Sequence, residues 1–109
     1  MEFFFDLNKI DVQDMPGRKR RLVVGENVMM LYIEREAGTT QDHTHDVEQL
    51  VYLMKGSARF TVDGNTKLCE GGQVVHIPKG VSHQLEALTP ITYVGIYSPL
   101  REEAIKGEA

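Results

Sequence analysis

A single cysteine, Cys69, and no tryptophan occur in the 109 residues. One thiol cannot close an intramolecular disulfide, so no disulfide framework holds the fold and no oxidising compartment is demanded by one; a reducing cytoplasm is the expected setting. Cys69 itself reads as a small buried hydrophobe rather than a ligand or a nucleophile. Positive charge is also short: 12 lysines and arginines against 16 acids leave a net charge of -4. Such a chain has no basic field to attract a phosphate backbone, which excludes nucleic acid as an expected partner. Its densest basic stretch, "RKRR" at 18–21, reads as a solvated turn. Long apolar runs are missing as well. The opening "MEFFFDLNKIDV" carries acids where a signal peptide needs positive charge, and its apolar run is far too short to span a bilayer. No membrane is expected, and Phe3, Phe4 and Phe5 are expected to pack against the domain or a second subunit.

What the chain does have is short runs rich in valine, isoleucine, leucine and tyrosine, at 21–24, 28–36, 48–55, 57–63, 66–69, 73–77, 82–88 and 91–97. Turn signals separate them, with glycines in "GEN", "KGS", "DGN" and "EGG". Eight strands at this spacing in a chain of one-domain size predict an all-β, closed structure. No sustained period of 3.6 is present, and only "SPLREEAIKGEA" is suited to a short helix.

Two of the strands are apolar on both faces. In "VMMLYIE", Met29, Leu31 and Ile33 oppose Val28, Met30 and Tyr32; in "QLVYLM", Val51 and Leu53 oppose Leu50, Tyr52 and Met54. A small sandwich has one interior, so the second face needs a cover. A homodimer is the economical cover, and the N-terminal segment is the alternative.

The chemistry concentrates in "HTHDVEQ" at 43–49. Side chains alternate along a strand, so His43 and His45 share a face, and Gln49 shares their parity whereas Glu48 does not. This holds if the strand runs unbroken from 43 to 49; a bulge or turn in "DVE" reverses it. A third imidazole, His83, follows the turn-forming "IPKGVS". The alternative is a polar strand end in a metal-free barrel. His76 has no place in this pattern and reads as a histidine of the core or of the layer around the ligands.

Residues 38–56, "GTTQDHTHDVEQLVYLMKG", resemble the first cupin motif, and residues 72–83, "GQVVHIPKGVSH", resemble the second. With the strand pattern the resemblance spans residues 20–98. It implies a double-stranded β-helix, the cupin jelly-roll barrel, with residues 1–19 as an N-terminal segment packing on the barrel or a dimer partner and 99–109 as a C-terminal tail. It also implies one divalent metal ion, zinc, nickel, iron or manganese, held by His43, His45, Gln49 and His83. Gln49 stands where most metal cupins have glutamate, and Ala87 where many have asparagine. A carboxamide oxygen coordinates such ions but adds no negative charge, so the site would keep the full charge of its ion and favour an anionic ligand.

The glutamine and the tail "YSPLREE" further resemble the pectin-degradation cupins, which open the ring of 4,5-unsaturated uronates. Carried over, Tyr97 would flank the substrate ring and Arg101 would pair with its carboxylate. The alternatives are barrel core for Tyr97 and a surface position for Arg101. Gly95 replaces the aspartate which that group places for proton transfer, so another acid or base, such as Tyr97 or metal-bound water, is required. The resulting expectation is a small metal cupin acting on an anionic sugar-derived or keto-acid molecule by isomerisation, hydration or ring opening. The alternatives are a non-catalytic small-molecule-binding module and an iron dioxygenase.

Overall fold

The computed structural model describes residues 2–107. Among them are ten strands: β1 (Gln13–Met15), β2 (Arg18–Val24), β3 (Met29–Arg35), β4 (Thr40–Thr44), β5 (Glu48–Lys55), β6 (Ser57–Val62), β7 (Asn65–Glu70), β8 (Val74–Ile77), β9 (Ser82–Ala87) and β10 (Ile91–Ser98). A 3₁₀ turn (Leu7–Lys9) precedes them, and the short helix α1 (Glu102–Ile105) lies in the tail where it was expected. The strands form two antiparallel sheets, ordered β1-β2-β3-β10-β5-β8 and β4-β9-β6-β7. Their inner faces meet in one core that includes Leu31, Leu53, Ala58, Ile77 and Tyr97, each no more than 2% exposed. Burying a side chain of leucine or isoleucine size contributes roughly 1.5–3 kcal/mol, and alternation along each strand delivers those residues to one side. Cys69 is a buried free thiol of this core, as its size suggested.

The two-faced strands lie in the middle of the larger sheet. Met29, Leu31 and Ile33 of β3 point inward, as do Val51 and Leu53 of β5. On the outer face Leu50, Tyr52, Val74 and Ile96 remain 41–60% exposed. Their register makes them neighbours: Leu50 lies opposite Ile96 and Tyr52 opposite Val74. Phe3, Phe4 and Phe5 do not cover this face or any other, being 50–91% exposed, which corrects the expectation that they pack on the domain.

Two further expectations fail. "RKRR" is no solvated turn: it opens β2, and Arg20 is buried on the barrel's inner face, 2% exposed. β1 and β4 were not anticipated. β4 reads "TQDHT", whose inward residues are Gln41 and His43, so it lacks the apolar alternation that marks a strand.

Candidate metal centre

β4 pairs with β9 so that His43 lies directly opposite His83. Residues across an antiparallel pair share a face, which puts both imidazoles on the inside of the barrel. His45 follows β4 in a bend that carries the chain from the smaller sheet to the larger one. The strand is therefore not continuous from 43 to 49. Alternation nevertheless survives the bend: His45, Val47 and Gln49 are buried, while Thr44, Asp46 and Glu48 are exposed. Gln49 points inward and Glu48 outward, as parity requires.

The ligand atoms of His43, His45 and His83 all lie within 4.8 Å of one another. His43 and His45 are in edge contact with ring centroids 4.8 Å apart, and His45 and His83 are separated by the same distance. His83 Nδ1 lies 3.1 Å from the Val81 carbonyl oxygen and donates to it. That bond fixes the ring and leaves the Nε2 lone pair buried without a partner. Gln49 shows the same pattern: its Nε2 donates to the Tyr97 hydroxyl at 3.0 Å, and its Oε1 is buried without a partner. Buried acceptors are rarely left unsatisfied. One such atom on Gln49 and another on His83, itself one of three clustered imidazoles, suit a divalent cation, and three histidines placed this way can hold one.

Burial keeps the imidazoles neutral, the form that coordinates metal. Desolvation, followed by the charge of Arg101, lowers His43 to about 4 and His45 to about 3, and desolvation lowers His83 as well. Arg101 is 2% exposed, so it is no surface residue. Its Nε donates to Glu103 Oε1 at 2.8 Å, its Nη2 stands 3.5 Å from His43 Nδ1, and its guanidinium lies 5.5 Å from the centre of the Tyr97 ring. Tyr97 is buried, which pushes its phenol up to about 12. A Cβ built at Gly95 would meet the Tyr97 hydroxyl at 2.7 Å and its ring carbons at 2.9 and 3.0 Å. Glycine at 95 thus makes room for the Tyr97 ring to lie back along the strand.

Four participants escaped the sequence reading. Gln41 Nε2 is 2.9 Å from His43 Nδ1, and its Oε1 accepts from Arg35, whose guanidinium also donates to the Tyr93 hydroxyl at 3.4 Å. Glu103 stands 3.7 Å from His45 Nδ1. Arg18 lies across from Arg35 on the inner face. Gln41 shares the parity of His43, which was the available signal; the arginines and Glu103 offered none. His76 is neither in the core nor beside the ligands. It is exposed on the outer face, 2.8 Å from the outward-facing Glu48.

Residues 29–97 match the family model described as "Cupin domain". The chain belongs to the cupin family. Among solved structures, this cupin is similar to KdgF from Halomonas sp., at 23% identity and a TM-score of 0.87, over 94% of this chain and 99% of that one. It is similar to an RmlC-like cupin from Shewanella frigidimarina at 25% identity and 0.89, over 95% and 96% of the two chains. A third similar structure is the ectoine synthase of P. lautus, at 20% and 0.86, over 99% and 87%. No curated protein matches. Among the described residues, no helix is long and apolar enough to cross a membrane.

Proposed function

We propose that this cupin is a divalent-metal enzyme acting on an anionic sugar-derived or keto-acid molecule, by isomerisation, hydration or ring opening. The observation that carries this reading is the pair of buried, unpartnered acceptors, Gln49 Oε1 and His83 Nε2, the second of them within the cluster of three imidazoles. His43, His45, His83 and Gln49 are the proposed ligands. A bound ion would supply Lewis acidity toward a substrate oxygen. The set contains no carboxylate, which favours this chemistry over an iron dioxygenase.

In this reading Arg101 holds the substrate carboxylate. Its Nε pairs with Glu103, and its planar guanidinium suits a two-oxygen acceptor. Tyr97 is the proton donor. A phenol raised to about 12 stays protonated at neutral pH, and because its oxygen already accepts from Gln49, its proton is directed elsewhere. It stands over Gly95, the position where the pectin-degradation cupins carry an acid. The resemblance of the tail "YSPLREE" to the pectin-degradation cupins makes unsaturated uronates the first substrates to try.

The test is absorbance loss of 4,5-unsaturated uronates with metal-loaded protein and with Tyr97→Phe. Turnover reduced by at least about tenfold in the variant, with metal content unchanged, is expected for a proton donor. Metal-loaded protein that binds a uronate without consuming it would favour a non-catalytic binding module. The second copy that covers the exposed apolar face of the larger sheet is part of the same proposal: a homodimer built through Leu50, Tyr52, Val74 and Ile96.

A further inference from the structure

Arg18 and Arg35 sit directly opposite one another on the inner face of β2 and β3. Like charges so placed repel, and nothing about a stable barrel calls for the pairing. Arg35 is 4% exposed, and the bonds it makes are to neutral oxygens, those of Tyr93 and Gln41. The Nε of Arg18 is buried without a partner. Among the described residues, neither guanidinium pairs with a carboxylate; Glu34 pairs with Arg21 and Glu103 with Arg101.

Both arginines also line a cleft of about 570 Å³ at the end of the barrel where β2 and β10 begin and β3 ends. Its rim carries the exposed Lys19 and Lys55 together with the exposed acids Asp14, Glu34 and Glu36. The wall beneath combines the half-buried Arg18 and the buried Arg35 with the buried, apolar Ile91. From it a short relay leads to the metal centre, because Arg35 bonds Gln41 and Gln41 bonds His43. Arg35 is thus joined to the His43 imidazole through the single carboxamide of Gln41. Burial and the facing Arg35 both depress the Arg18 guanidinium.

We propose that Arg18 and Arg35 form a second anion-binding point, so that the ligand of the histidine centre bears two acidic groups, one toward Arg101 and one on this arginine pair. The proposal rests on the metal-site reading above but not on the uronate substrate, which bears a single carboxylate: it sets the ligand class as diacids, with either a carboxylate or a phosphate ester as the second group. Guanidinium forks recognise both.

Calorimetric titration tests it on zinc-supplemented protein, using the linear dicarboxylates from malonate to adipate, each beside its half-amide, and phosphoglycolate beside malonate. At least one diacid is expected to bind about tenfold more tightly than its half-amide, with that preference lost in Arg18→Gln and kept in Arg18→Lys. Phosphoglycolate binding above malonate would assign the second group as phosphate, and the reverse as carboxylate. Equal or unmeasurable binding of every diacid and its half-amide overturns the proposal, as does a preference that survives both Arg18→Gln and Arg35→Gln. Zinc content, measured in the same samples, separates the two readings. Bound zinc without diacid preference removes the second anion point alone, whereas diacid preference without zinc removes the metal centre and leaves the anion point standing.

Discussion

Gly95 and Tyr97 share the inner face of β10, two positions apart, and the tyrosine ring fills the space above the glycine. Any side chain at 95 would displace that ring, so the absent acid and the position of the phenol are one arrangement. The neighbouring imidazoles are shaped by the same dry surroundings. With His43 lowered to about 4 and His45 to about 3, the unfolded chain takes up protons near pH 6.5 while the folded chain does not. Over that window the unfolded state holds more protons, so stability falls as pH falls. The melting temperature of metal-free protein is therefore expected to drop between about pH 6.5 and pH 4, and to drop less in His45→Gln, which lacks one of the depressed groups. Equal pH dependence in the two proteins would show that burial does not hold His45 neutral.

The elements that were hardest to read in the sequence are those that carry the site. β3, β5, β6, β9 and β10 were legible because their inward residues are apolar, as in Leu31 and Ile33 or Val51 and Leu53. β4 and the start of β2 were not, because their inward residues are Gln41, His43, Arg18 and Arg20. A strand whose inner face lines a polar site loses the apolar alternation by which strands are recognised. The histidines were found by spacing and by resemblance; Arg18, Arg35 and Glu103 depend on strand pairing and tail placement that spacing does not encode. Parity along β5 gives the prediction at this scale. Gln49→Ala is expected to weaken metal binding at least about tenfold, while the outward-facing Glu48→Ala leaves it unchanged, by competition with a chromogenic chelator. The opposite ranking would mean that the bend at 45–47 reverses the faces.

The whole molecule is a barrel whose inside is polar at the site and whose larger sheet is apolar on the outside. Leu50, Tyr52, Val74 and Ile96 form that outer patch, and the N-terminal phenylalanines leave it open. Light scattering after size exclusion is expected to give twice the chain mass of 12.3 kDa, and Tyr52→Glu to give the single mass, since a charge buried without a partner opposes association. A single mass for the unaltered chain would leave the patch to another partner. His76 and Glu48 border the patch, in keeping with the polar rim of an interface. Metal content tests the histidine centre most directly, by elemental analysis of protein purified without a histidine tag, beside His45→Ala. About one divalent ion per chain is expected, lost in the variant; no ion in either protein after incubation with zinc, nickel, iron and manganese would show that the cluster is not a metal site.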